Sequence, residues 1–172
     1  LLHKLFHKNF LIVLLVAMGV SACGYQPLHG NRKTAQNTKM KNELARIWIN
    51  EIPDREGQQL HNELLNLFNV KGRPAHPKYK LKVSYNESTS GLGIGKDEFA
   101  TRANMSVSAT FHLSGAVTFS GVSQSVVTYN ILTSPTGTEF AKRDARKRAI
   151  QNVATDIHRR ITVHLLSAKT EQ

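Results

Sequence analysis

Over residues 104–113, Met105, Val107, Ala109, Phe111 and Leu113 alternate with Asn104, Ser106, Ser108, Thr110 and His112. A period of two that clean is a strand with one face buried and the other in water. A sheet built around it needs cover on one side only. The cover is offered by residues 138–166, where Ala141, Ala145, Ala149, Val153, Ile157, Ile161 and Leu165 recur at every fourth position, flanked by Ile150 and Ala154. This reads as one helix of roughly 29 residues, about 43 Å long. Its alanines come first and its larger side chains last, so its N-terminal half can lie close against a sheet. Lys142, Arg143, Arg146, Lys147, Arg159 and Arg160 occupy its other side.

The remaining periods complete the layers. Ile47, Trp48 and Ile49 centre an apolar run over residues 44–52 that Pro53 closes, read as a strand of about nine residues partly buried on both faces. Asp54 can cap a helix whose apolar stripe is Leu60, Leu64, Leu67 and Phe68, ended by Gly72 and Pro74. Tyr79, Leu81, Val83 and Tyr85 then alternate with Lys78, Lys80, Lys82 and Ser84, a half-buried strand with a basic outer face. Residues 87–98 read as a polar loop containing Gly91, Gly93 and Gly95 around Leu92 and Ile94. After the strand at 104–113, Gly115 turns the chain into a last strand through Val126, Val127 and Tyr129, with a bulge or bend expected at Gly121. The expected fold is an α+β two-layer sandwich: a small mixed or antiparallel four-stranded sheet with two helices packed on one face.

The N-terminal residues carry a different signal. Lys4 and Lys8 precede an apolar run over residues 10–20, which is shorter than the 20 or so residues a spanning helix needs. The run has the proportions of a secretory signal, and its small residues Ser21 and Ala22 lead directly into Cys23, the chain's one cysteine. Val20-Ser21-Ala22-Cys23 resembles the bacterial lipobox, in which the thiol is joined to diacylglycerol; the plainer alternative is an ordinary signal with a cysteine at its edge. A single thiol in an oxidising compartment forms no internal disulfide. Each buried acyl methylene adds about 0.8 kcal/mol, so two or three chains such as palmitate anchor durably. Gly24, rather than Asp, after the cysteine favours the outer membrane by analogy with enteric lipoproteins. The expected organisation is a leader at 1–22, a lipid-anchored tether at 23–42, a folded domain at 43–168 and a short tail at 169–172.

The chain's formal charge is +11. Removal of residues 1–22 takes away two lysines and no acid, leaving +9, a balance that attracts polyanions. Export turns the expectation from nucleic acid toward anionic lipid or glycolipid, while a basic surface serving solubility alone is the other explanation.

Catalytic motifs are set aside on their residues. Gly91-Leu92-Gly93-Ile94-Gly95-Lys96 lacks the first glycine of a phosphate loop, because Ser90 stands there, and Asp97 replaces the magnesium-binding hydroxyl. A hairpin loop that inserts Leu92 and Ile94 against a partner, or packs them on its own domain, is the better reading. His158 and His164 are six residues apart and share no helix face, so no metal site is expected. Gly121-Val122-Ser123-Gln124-Ser125 lacks the closing glycine of a nucleophile elbow. Acids are few and scattered, and the chain is expected to be neither an enzyme nor a cofactor carrier. Lys78, Lys80 and Lys82 either bind an anion or protect an edge strand, and the basic side of the long helix is either a ligand surface or a solvated face.

Cys23-Gly24-Tyr25-Gln26-Pro27-Leu28-His29-Gly30 resembles the start of mature LptE, the lipopolysaccharide-assembly lipoprotein, in its alphaproteobacterial form, where the run is typically Cys-Gly-Phe-x-Pro-Leu-Tyr-Gly. Ala100-Thr101-Arg102, Phe111-His112-Leu113, Tyr129-Asn130, Phe140-Ala141, Asp144-Ala145 and Arg148-Ala149 extend the resemblance over nearly the whole mature domain. Tyr25, His29 and residues 135–138 depart from the pattern. The resemblance implies a non-enzymatic, periplasm-facing outer-membrane protein. It would plug and help assemble an LptD-like barrel and bind lipopolysaccharide. It further implies barrel contact at Leu92, Gly93, Ile94, Gly95 and Lys96, and the basic residues Lys78, Lys80, Lys82, Arg102, Arg143 and Arg146 are the candidates to contact lipid A phosphates. The alternative kept beside it is an auxiliary lipoprotein of a phospholipid ABC transport system.

Overall fold

The computed structural model describes residues 35–94 and 100–170, with side chains for all of these except 35–37, 92–94, 100, 169 and 170. Expectations resting on the leader, Cys23, Gly95, Lys96 and residues 171–172 lie outside the described residues, as do those on the side chains of Leu92 and Ile94.

The chain runs α1 (Ala35–Leu44), β1 (Ile47–Ile49), α2 (Arg55–Phe68), β2 (Tyr79–Ile94), β3 (Ala100–Gly115), β4 (Phe119–Asn130) and α3 (Pro135–Thr170). The strands form one mixed sheet in the order β1-β2-β3-β4, with β1 parallel to β2 and the others antiparallel. This is the expected α+β sandwich, with a third helix added.

Alternation explains which face is covered. Tyr79, Leu81 and Val83 of β2, Met105, Val107, Ala109, Phe111 and Leu113 of β3, and Val127 and Tyr129 of β4 are buried on one side. Against them lies the stripe of α3, in which Ala145, Ala149, Val153, Ala154, Ile157 and Ile161 have no exposed surface. Helix α2 adds Leu60, Leu64 and Phe68 beside α3, and α1 adds Met40 and Leu44.

Several local readings are corrected. The run at residues 44–52 is a strand only over Ile47–Ile49, because Leu44 closes α1 and the chain leaves β2 after Asn50, whose amide bonds the Leu81 carbonyl at 2.9 Å. Part of the stretch read as a tether is therefore helical. Asp54 stands at the N-cap of α2, but with φ 67° its carboxylate makes no capping bond; its carbonyl accepts from Gln58 instead. The helix ends at Phe68 rather than at Gly72, since Asn69 turns inward and donates from Nδ2 to the carbonyls of Ala45 and Ile47, both at 3.2 Å.

A further correction concerns the loop read at residues 87–98. Its first part is strand: β2 continues unbroken through Glu87, Ser90 and Leu92 to Ile94, paired along its length with β3. Nor does β4 bulge, because its register against β3 holds from Phe119 to Asn130. Gly121 serves another purpose. Opposite it is Phe111, and a β-carbon at position 121 would come within 2.8 Å of that ring. Gly115 makes the β3–β4 turn with φ 132°, where a β-carbon would collide with the Lys78 carbonyl.

Asn69 ties the end of α2 to the α1–β1 link, and its Oδ1 is buried without a bond among the described residues. Asn69→Ala removes both bonds and is expected to lower unfolding free energy by about 1–2 kcal/mol, read as a shifted urea midpoint.

Candidate functional site

The face of the sheet turned away from the helices has no covering element among the described residues. Across it run Lys80, Lys82, Ser84, Asn86 and Ser88 of β2, then Arg102 to Ser114 of β3 and Ser120 to Asn130 of β4 at alternate positions. Neighbouring strands lie about 4.8 Å apart and each residue advances about 3.3 Å, so this surface is a plate some three strands wide and over 30 Å long.

Hydroxyl and amide groups dominate the plate, and they bond across the strands. Thr128 Oγ1 donates to Asn104 Oδ1 at 2.8 Å and Gln124 Nε2 donates to Ser106 Oγ at 3.0 Å. His112 Nδ1 lies 2.6 Å from Ser120 Oγ. Ser84 and Ser114 donate to the carbonyls of Thr110 and Lys80. These pairs hold the side chains flat and leave spare acceptors and donors facing water.

The basic residues expected to meet an anion do not form one cluster. Lys80 and Lys82 are exposed at the end of the plate where β2 begins, with His112 directly across from Lys82. Arg102 is exposed near the opposite end, ten residues along β3 from His112 and hence about 33 Å away. Lys78 faces α1, where its Nζ donates to Glu43 at 2.6 Å, and that bond raises its pKa. The same Glu43 oxygen accepts from Tyr79 at 2.7 Å. Arg143 and Arg146 belong to the helix layer on the far side of the sheet.

Arg146 is committed to the interior. Its Nε and Nη2 donate to the two oxygens of Glu87 at 2.7 and 2.8 Å, with Glu56 a further 3.8 Å contact. The paired bond holds the Glu87 carboxyl below its ordinary range, against the pull of burial, and raises the guanidinium pKa further. Burial, with Glu87 accepting its hydroxyl at 2.6 Å, pushes Tyr85 well up. Arg143 lines a groove of about 640 Å³ between α2 and α3. There Arg55, Arg146 and Lys147 are matched by Glu56, Glu63, Glu139 and Asp144, so the groove does not concentrate positive charge.

Other polar residues single out structure rather than chemistry. The Asn50 carbonyl can only accept, so His61 Nδ1 carries the proton and Nε2 accepts from Arg73. The Arg73 guanidinium also lies 5.6 Å from the centre of the Trp48 ring. His158 packs on Phe68 with ring centroids 4.9 Å apart, and burial lowers its pKa. His164 stacks on Phe119 at 4.3 Å. Ser123 donates to Asp156, whose carboxyl is opposed by burial yet held below its ordinary range by bonds from Arg159, Ser123 and Arg160. Among the described residues no three His, Cys, Asp or Glu groups converge as metal ligands, and no helix is long and apolar enough to cross a membrane.

Reading only the apolar half of each alternation misses the plate itself. Its signal is present in the sequence: β4 carries no charged residue in a chain with 23 lysines and arginines.

Comparison with solved structures places this architecture. The fold is that of solved lipoproteins. A candidate lipoprotein from Caulobacter crescentus CB15 superimposes with TM-score 0.62 at 23% identity, over 76% of this chain and 97% of that one. A minor lipoprotein from Acinetobacter baumannii gives TM-score 0.55 at 18% identity over 70% and 92% of the two chains. Rare lipoprotein B from Shewanella oneidensis gives 0.57 at 8% identity over 72% and 96%. No family model and no curated protein sequence matches the chain.

Proposed function

We propose that this chain is a lipoprotein anchored through Cys23 in the outer membrane, facing the periplasm, where it serves as a non-catalytic partner of an LptD-like barrel in lipopolysaccharide transport. The observation that carries the reading is a fold shared with solved lipoproteins, following a Val20-Ser21-Ala22-Cys23 run that resembles a lipobox. The resemblance of the residues from Cys23 to Gly30 to the start of mature LptE supplies the rest.

In this role the molecule needs no reactive centre. Acyl chains on Cys23 hold the sandwich at the membrane, and the long β2–β3 hairpin is the element that meets the barrel wall. Lys80 and Lys82 are the cations best placed to meet lipid A phosphates, since both are exposed without an ion pair among the described residues and, unlike Arg102 at the far end of the plate, they stand side by side on one face of β2. Arg146 is removed from that set by its bond to Glu87, and Lys78 is weakened in it by Glu43.

Two measurements test the reading. Intact mass of the membrane-extracted chain should show diacylglycerol and acyl additions on a product beginning at Cys23. Affinity purification from solubilised membranes should recover an outer-membrane barrel in near-stoichiometric yield. Recovery of an inner-membrane ATPase complex instead would favour an auxiliary role in phospholipid transport. An unmodified Cys23 in a cytosolic product would overturn both.

A further inference from the structure

Strand β4 closes one edge of the sheet, and among the described residues no strand pairs with its outer side. An uncovered edge of 12 residues is a template for another strand, and proteins ordinarily protect such edges with charge, proline or a bulge. Phe119–Asn130 has none of these: it holds no Lys, Arg, Asp, Glu or Pro, and its register runs straight. Val122 and Val126 stand on its open face, each 56% exposed, with Gln124 between them.

The order of residues here is the same in both directions. Val122-Ser123-Gln124-Ser125-Val126 reads identically from either end. An antiparallel pair about a two-fold axis at Gln124 sets each residue opposite its own type: Val122 against Val126 of the copy, Ser123 against Ser125, Gln124 against Gln124. Beyond this run Gly121 meets Val127, which do not match, and then Ser120 meets Thr128 on the open face and Phe119 meets Tyr129 on the helix face. All four exposed valines of the pair would then be neighbours on one surface, in the cross-strand arrangement that stabilises sheets.

Charge points the same way. Two copies of a chain that carries +9 from Cys23 onward repel each other through most approaches, those through the lysines of β2 included. Strand β4 itself adds no charge to such a contact, and the charges nearest to it on the helix face, Arg159 and Arg160, are paired with Asp156, which accepts from Ser123. We infer that β4 is a self-recognition edge, through which two copies join antiparallel about Gln124 into one eight-stranded sheet with both helix layers on the same side. A two-fold contact of this kind is self-complementary and closed, so it stops at two. This goes beyond the transport role and does not depend on it.

The test places cysteines in the full membrane-anchored chain. Directly opposed residues in an antiparallel pair have Cα atoms about 4.5–5.5 Å apart, within disulfide range. Gln124→Cys is therefore expected to give a dimer under mild oxidation, linked through the introduced thiols of the two copies and identified by peptide mass spectrometry. Ser120→Cys alone should give none, since its own counterpart lies eight residues, or about 26 Å, along the copy. Ser120→Cys coexpressed with Thr128→Cys should link to each other. Absence of the link in Gln124→Cys, or equal linkage in Ser120→Cys alone, would overturn the assignment. Sedimentation of the detergent-solubilised chain gives a second reading free of cysteine: the double variant Val122→Lys, Val126→Lys should lower the dimer fraction at least tenfold with an unchanged thermal transition. A dimer fraction that survives this change would also refute the proposal.

Discussion

Replacing Arg146 with alanine is expected to destabilise the domain by about 3 kcal/mol, although the side chain belongs to the basic side of an amphipathic helix. Only 18% of the Arg146 side chain and 16% of the Glu87 side chain remain accessible, and the two are joined by a paired bond. Removing the cation leaves a carboxylate in a half-dry pocket that keeps, among the described residues, the Tyr85 hydroxyl as its hydrogen-bond partner and the more distant charge of Lys142. Adding Glu87→Gln to the variant removes the stranded charge and should restore part of the loss, which a urea titration of both proteins measures directly.

The same pair sets an acid limit. The bond from Arg146 depresses the folded-state pKa of Glu87. Its contribution is therefore fully present above the carboxyl's unfolded value, near 4.5, and disappears as pH falls through the lower folded value. Between pH 7 and pH 3 the unmodified chain should lose more stability than Arg146→Ala. Equal losses in the two proteins would show that the pair carries no acid dependence. Asp156 is depressed in the same direction by Arg159, Ser123 and Arg160, so a smaller common loss is expected in both.

What the residue pattern revealed, and what it hid, follows from the range over which each signal acts. The β3 alternation and the fourfold repeat of α3 are local, and all five apolar residues from Met105 to Leu113 and the α3 stripe from Ala145 to Leu165 are buried as expected. The outer half of β2 had no such signal. Glu87, Ser88, Thr89, Ser90 and Gly91 have neither apolar period nor uniform strand preference, and they are extended because β3 offers each of them a partner. A window along one strand does not contain that partner. Helix α1 was hidden for a similar reason: among its described side chains, 38–44, only Met40 and Leu44 are buried, too few to mark a period, and their burial is made by residues distant in sequence. The basic residues were legible one at a time, but their separation depends on strand register and layer, which place Lys82 and Arg102 at opposite ends of one face and Arg146 on the other.

Gly121 is the position where the sequence and the packing disagree most usefully. Glycine in a strand reads as a bend, yet β4 is straight there, and the missing side chain makes room for Phe111 across the ladder. The ring of Phe111 is wholly buried and meets Phe119 edge-on at 5.6 Å. Phe111→Ala is accordingly expected to cost about 4 kcal/mol, the sum of lost transfer energy and an unfilled cavity. Gly121→Ala alone should cost about 1–2 kcal/mol, because its β-carbon would lie 2.8 Å from the ring and a packed ring has little room to move. If the glycine is kept for the ring, the second change should cost nothing or restore some stability once Phe111 is already alanine. Measured unfolding free energies for the four proteins of this cycle decide the matter. Additive losses would return Gly121 to the role of a backbone hinge, whereas strong coupling would make this pair the point at which the covered face of β4 is fixed against β3.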